Sequence, residues 1–112
     1  VAAGATYVAR GTSFHAKMLT DLIAKGIANK GFSVIDAISG CPTSFGRKNK
    51  MAQPSKMLEW QRDHAVTVQA AAKLSAEQLA DKFLIGELHQ EAAPEFTDEY
   101  AKVVERLKGG RA

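Results

Sequence analysis

Apolar positions along this 112-residue chain change their spacing from one segment to the next, and the changes mark out its elements. Ala5 to Ala9 (ATYVA) is short and β-favouring, with Gly4 and Gly11 as punctuation on either side. Beyond it Met18, Leu19, Leu22, Ile23 and Ile27 recur at three- and four-residue steps. That spacing predicts a helix of about four turns, capped by Ser13 and stopped at Asn29, Lys30 and Gly31. Phe32 to Ile38 (FSVIDAI) then predicts a second strand. Strand, helix and strand within so short a stretch make a βαβ unit, which needs a parallel sheet and a right-handed crossover. Two strands do not form a stable sheet by themselves. The rest of the chain is poor in strand signals, so the expectation is that the remaining strands come from outside it.

After Ile38 the pattern loosens. Ser39, Gly40, Cys41, Pro42 and Thr43 read as a turn at the carboxyl end of the second strand, where open parallel sheets place their ligands. Pro54 and Ser55 precede a helix running through Trp60 and Arg62, and the alanine-rich stretch Ala65 to Leu74 predicts another. Ser75 with Gln78 has the spacing of a capping box for a short helix near Leu79. Phe83 to Leu88 reads as a short strand or an extended arm. Thr97 or Asp98 starts a last helix through Tyr100, Val103, Val104 and Leu107, closed by Gly109 and Gly110. The expected division is residues 1–38 as the βαβ end of a larger domain, 39–58 as a loop segment and 59–112 as a helical arm packing on another surface.

Composition narrows the class. With 46% hydrophobic and 24% charged residues and few aromatics, disordered and fibrous classes are disfavoured. No apolar run approaches the length of a membrane span, and no secretory leader pattern opens the chain. One cysteine fits a reducing compartment, so a soluble, cytoplasmic chain is expected. Val1 is not Met, and the chain enters directly into turn and strand residues. This predicts the C-terminal piece of a longer polypeptide.

The net charge of +3 conceals two unlike halves. Residues 1–58 carry eight basic and two acidic side chains, while residues 59–112 carry seven basic and ten acidic ones. Between Ala37 and Leu58 there is no carboxylate, yet Arg47, Lys48, Lys50 and Lys56 lie there. That segment reads either as an anion-facing docking loop or as a solvated loop with incidental lysines. Its single aromatic, Phe45, and the absence of a nucleic-acid motif argue against nucleic acid as the partner.

Cys41 is the residue with the most chemical promise. Cysteine is most often a small buried hydrophobe, but here it directly follows a strand, sits in a Gly-Cys-Pro turn and has cationic neighbours that favour a thiolate. A Cys-Pro step also recurs beside iron–sulfur clusters, although a four-cysteine cluster would need three thiolates from elsewhere. His15, His64 and His89 have no metal-pair spacing and read as ordinary surface or partly packed residues. No nucleophile elbow or phosphate loop is present. Trp60, among Met57, Leu58 and Gln61, reads as a packing anchor. A self-contained enzyme is not expected.

The stretch GFSVIDAISGCPTSFGRKNK, Gly31 to Lys50, resembles the β subunit of the 2-oxoacid:ferredoxin oxidoreductases. GATYVAR, Gly4 to Arg10, resembles the strand that follows that family's thiamine diphosphate region. FGRKNKM, Phe45 to Met51, and IGELHQEAAPEFTDEY, Ile85 to Tyr100, resemble the 2-oxoglutarate branch. Gly40 stands where the family often has a larger residue, and Ala52 where it commonly has Gly.

The resemblance implies an α/β fold, the C-terminal part of a thiamine-diphosphate-binding domain with a parallel sheet flanked by helices, followed by a helical arm. It implies Cys41 as one ligand of a 4Fe–4S cluster, with thiamine diphosphate and Mg2+ bound mainly by residues outside this segment. The implied reaction is oxidative decarboxylation of 2-oxoglutarate to succinyl-CoA with ferredoxin as electron acceptor, or the reverse reductive carboxylation. The segment alone would not be active. The implied partners are an α subunit, the upstream part of the β subunit, ferredoxin, coenzyme A and the 2-oxoacid, and neither nucleic acid nor a membrane. Arg47, Lys48 and Lys50 would raise the cluster potential, attract acidic ferredoxin or meet the distal carboxylate of 2-oxoglutarate. Two other readings remain: the same chemistry on pyruvate or another 2-oxoacid, and a non-catalytic docking subunit in which Cys41 is merely buried.

Overall fold

A computed structural model describes residues 1–109. Its framework is a four-stranded mixed sheet in the order β2-β1-β4-β3. Strand β1 (Tyr7–Thr12), helix α1 (Ala16–Ala28) and strand β2 (Ser33–Ile38) form the expected βαβ unit, with β1 and β2 parallel and in register from Tyr7↔Ser33 to Thr12↔Ile38. Alternation along β1 turns Tyr7 and Ala9 towards α1, where they pack with Leu22, Met18 and Ile35 to form the core. The Tyr7 hydroxyl donates to the carbonyl of Leu22, so the ring is buried without stranding its polar tip.

The boundaries differ from the expected ones for identifiable reasons. Strand β1 continues past Gly11 to Thr12 because its ladder with β2 continues, and Ser13 N still donates to Ile38 O. Ser13 is thereby held at the end of the sheet and does not cap α1. The helix starts three residues later behind a turn in which His15 N donates to Thr12 O and His15 Nδ1 lies 2.8 Å from Thr12 Oγ1.

The larger correction concerns the source of the remaining strands. The chain supplies two itself, β3 (Ala65–Thr67) and β4 (Phe83–Gln90). Strand β4 lies antiparallel beside β1, with a bulge where the register shifts between Val8 and Ala9, and β3 runs parallel to β4. Phe83–Leu88 is thus a strand at the centre of the sheet, and the sheet is mixed where a parallel one was expected. The alanine-rich stretch forms β3 and then a single turn, α3 (Val68–Ala71), in place of one long helix. Val66, Thr67 and Val68 are β-branched in succession, which favours extended backbone, and Thr67 turns the chain by accepting from Ala70 N.

Other helical signals correspond closely to the structure. Helix α2 spans Pro54–His64, and α4 (Ala76–Leu79) opens on a complete Ser75–Gln78 capping box. Helix α5 (Phe96–Gly109) begins behind Glu95, whose carboxylate accepts from the backbone of Thr97 and Asp98. Those bonds, led by the Thr97 hydroxyl, hold the Glu95 carboxyl below its ordinary pKa. The expected Gly109–Gly110 stop includes Gly110, which lies outside the described residues. An ion pair between Lys30 and Asp98 ties α5 to the end of α1. The molecule measures 70 × 35 × 23 Å, and among the described residues no helix is long and apolar enough to cross a membrane.

Candidate functional site

Strand β2 ends at Ile38, and Ser39 and Gly40 carry the chain to Cys41, off the carboxyl ends of the parallel pair β1 and β2. Pro42 then fixes the backbone for one turn of π-helix, Pro42–Gly46, closed by Gly46 N donating to Cys41 O at 2.8 Å. Cys41 occupies the position before this turn, with its sulfur 3.7 Å from the Thr43 hydroxyl. Backbone N–H groups of Ser44 and Phe45, then the Thr43 hydroxyl, bring the thiol pKa down from 9.0 to about 7. The thiol is exposed here, where a small buried hydrophobe was the common expectation for cysteine.

The loop after the turn is folded tightly back. Gly46 is buried, and a Cβ there would lie 2.6 Å from the carbonyl oxygen of Met51, so only glycine fits. Met51 N donates to Gly46 O at 2.7 Å, the Asn49 side chain donates to Phe45 O, and Lys50 takes a positive φ of 58° at the bend. Arg47, Lys48 and Lys50 therefore project from a compact turn into solvent, with no ion pair among the described residues. They adjoin the Cys41 site along the chain and do not line it.

Helix α2 forms the facing wall. Met57, Trp60 and Gln61 lie on one side of it, as their three- and four-residue spacing requires, and with Ile38, Phe45 and Met51 they enclose a mainly apolar hollow of about 560 Å³ containing Cys41. Gly40 permits the close approach of this wall: a Cβ at Gly40 would lie 3.2 Å from both Cβ and Sδ of Met57. Trp60 stacks on His64 at 4.6 Å and on Phe83 at 5.6 Å, joining α2 to the start of β4. Gln61 is 2% exposed, and its Oε1 accepts from Ser13 Oγ and Phe14 N, both at 3.0 Å. It fastens the wall to the loop between β1 and α1.

The sequence points to Cys41 and the basic loop but not to Met57 or Gln61 as site residues. The spacing of 57, 60 and 61 gives a common face, but only the tertiary fold shows that this face turns towards Cys41. Among the described residues no group of three or more His, Cys, Asp or Glu side chains is placed to hold a metal ion. A cluster at Cys41 would take its other thiolates from another part of the polypeptide or another chain.

Comparison with known proteins defines first a class. No family model matches the chain, but the proteins similar to it are named as subunits of 2-oxoglutarate synthase and of 2-oxoacid:ferredoxin oxidoreductases, and the likeness to the former runs over nearly its whole length. Within that class the likeness is to 2-oxoglutarate synthase subunit KorB. The Methanothermobacter marburgensis protein is 41% identical over 108 residues, covering 96% of this chain and 38% of the relative. The Methanocaldococcus jannaschii protein is also 41% identical over 108 residues, covering 96% of this chain and 40% of the relative. Among solved structures, the 2-oxoglutarate:ferredoxin oxidoreductase from Magnetococcus marinus, with 2-oxoglutarate, coenzyme A and succinyl-CoA bound, matches with a TM-score of 0.69 at 27% identity, over 94% of this chain and 36% of that one. The chain thus spans about two fifths of the length of these relatives.

Proposed function

We propose that this chain is the part of a 2-oxoglutarate:ferredoxin oxidoreductase β subunit that contributes one cysteine ligand, Cys41, to a 4Fe–4S cluster. The observation that carries the reading is the Cys41 turn itself. An exposed thiol follows a parallel strand, sits at the start of the Pro42–Gly46 turn with the Thr43 hydroxyl 3.7 Å from its sulfur, lines a mainly apolar hollow, and has its pKa lowered by the turn's backbone N–H groups. A thiolate ligand of an iron–sulfur cluster is favoured by such a turn, where polar donors lie near the sulfur and an apolar wall stands beside it. The residues present fit one corner of such a group.

In this reading the cluster supplies single-electron transfer to ferredoxin, and thiamine diphosphate with Mg2+, bound mainly by residues outside the segment, supplies the decarboxylation chemistry. This chain's own residues hold and shield. Cys41 provides the ligand, the turn from Pro42 to Gly46 fixes the sulfur, and Met57, Trp60 and Phe45 form the apolar wall beside it. Arg47, Lys48 and Lys50 form a cationic turn beside the site, suited to meeting acidic ferredoxin. The whole enzyme would act within the cytoplasm on 2-oxoglutarate and coenzyme A, either producing succinyl-CoA or running in the reverse, carboxylating direction.

The proposed division is a βαβ end of the cofactor domain, a loop carrying the ligand and basic turn, and a C-terminal segment that docks on the α subunit and on the remainder of the β subunit. Exposure along α5 supports the last part: Phe96, Tyr100, Val103 and Leu107 form an uncovered apolar stripe. The test of substrate is the coenzyme A-dependent reduction of a viologen dye by the complete enzyme. Activity with 2-oxoglutarate well above that with pyruvate is expected, and preference for pyruvate overturns the substrate assignment.

A further inference from the structure

Gln61 carries more than its role as a fastener requires. It is 2% exposed, yet only one end of its amide is accounted for. Phe14 N can only donate, so the atom 3.0 Å from it must be the carbonyl oxygen, and Ser13 Oγ donates to the same atom. The NH2 end is thereby directed away from both. It makes no hydrogen bond among the described residues, and it is not sealed off either, since there the one enclosed side-chain atom without a partner is His89 Nε2. The open space beside Gln61 is the hollow that contains Cys41. A largely buried amide with its acceptor satisfied and its donor unspent, beside a mainly apolar cavity, offers a preorganised hydrogen bond to an acceptor that enters that cavity.

We propose that Gln61 Nε2 donates a hydrogen bond to a sulfur of the group bound at Cys41, and that the Phe14 N–H, which remains when Ser13 is replaced, suffices to hold the amide in this orientation. The inference rests on the cluster reading given above. Met57, seated against Gly40, holds α2 against the Cys41 turn, and Gln61 lines the same hollow as Cys41. An amide N–H directed at sulfur stabilises the more negative, reduced state and so raises the reduction potential.

The test uses the complete enzyme, with iron content and an EPR-monitored redox titration of the cluster. Gln61→Glu keeps an acceptor for Ser13 and Phe14 and replaces the donor with a carboxylate oxygen, Gln61→Met removes both, and Ser13→Ala keeps the donor. The expected result is full iron in all three, a lower midpoint potential in both Gln61 variants, and a wild-type potential in Ser13→Ala. Unchanged potentials in the Gln61 variants overturn the proposal, as does a Ser13→Ala shift equal to that of Gln61→Met, which would assign the effect to packing. Should the Gln61 variants fail to assemble, wild-type enzyme carrying glutamine labelled with 15N in the side chain decides the matter. A weak 15N coupling to the reduced cluster in pulsed EPR supports the bond, and its absence overturns it. Failure of the underlying reading looks different: Cys41→Ala would then retain a full cluster.

Discussion

At the scale of single residues, the chemistry concentrates on one sulfur whose surroundings favour its anion. Amide donors from Ser44 and Phe45 hold the Cys41 pKa to about 7, so in the apo protein alkylation by iodoacetamide should rise with pH to a midpoint near 7. A midpoint near 9, that of an unassisted thiol, contradicts the geometry of the turn. The sign for folding follows the same shift. Because the folded pKa is depressed, the N–H contacts add stability above the unfolded value, and that contribution is lost as the pH falls through the folded one. Gly40 is the second residue with a sharp consequence. Gly40→Ala places a methyl 3.2 Å from Met57, and overpacking of this kind costs about 1–3 kcal/mol. Chemical denaturation should register that loss. Equal stability of Gly40→Ala and wild type would show that α2 does not press on the Cys41 turn.

At the scale of elements, the sequence told most where one periodicity ran undisturbed. Helix α1 and the strands on either side were legible because their apolar residues face a single layer. The Ser75–Gln78 box was legible because both halves of the cap are local. What was not legible depended on partners far along the chain. Ser13 has the chemistry of a cap, but Ile38 and Gln61, distant in sequence, decide its hydrogen bonds. Ala65–Thr67 reads as helix from its alanine-rich context and becomes a strand because β4 offers it a ladder. The site divides the same way. Cys41 was legible from its Gly-Cys-Pro turn, whereas Gln61 looks like any helical glutamine until its two donors are seen. Helix α5 gives a local prediction. The Glu95 carboxylate caps it with a depressed pKa, so the cap holds above the ordinary carboxylate value and is lost as the pH falls through the lower, folded one. Helical circular dichroism should fall on acidification below the usual glutamate range, and by less in Glu95→Gln. An identical acid response in the two would remove Glu95 as the cap.

At the scale of the whole molecule, the shape argues for partners. A radius of gyration of 19.8 Å compares with about 13 Å for a compact domain of this length. Helix α5 buries none of its residues, although Phe96, Tyr100 and Leu107 are 77%, 62% and 70% exposed. On the proposed reading this stripe meets the rest of the enzyme. Tyr100→Asp with Leu107→Asp should therefore weaken co-purification with the other subunits by tenfold or more, while the circular dichroism of this chain stays unchanged. Undiminished co-purification would mean that the stripe is not part of the contact. The most direct measurement for the central claim is iron content together with EPR of the reduced complete enzyme bearing Cys41→Ala. The account predicts loss of one 4Fe–4S signal and about four irons per copy, and an assembled enzyme that keeps its full complement of iron and an unaltered spectrum would contradict it.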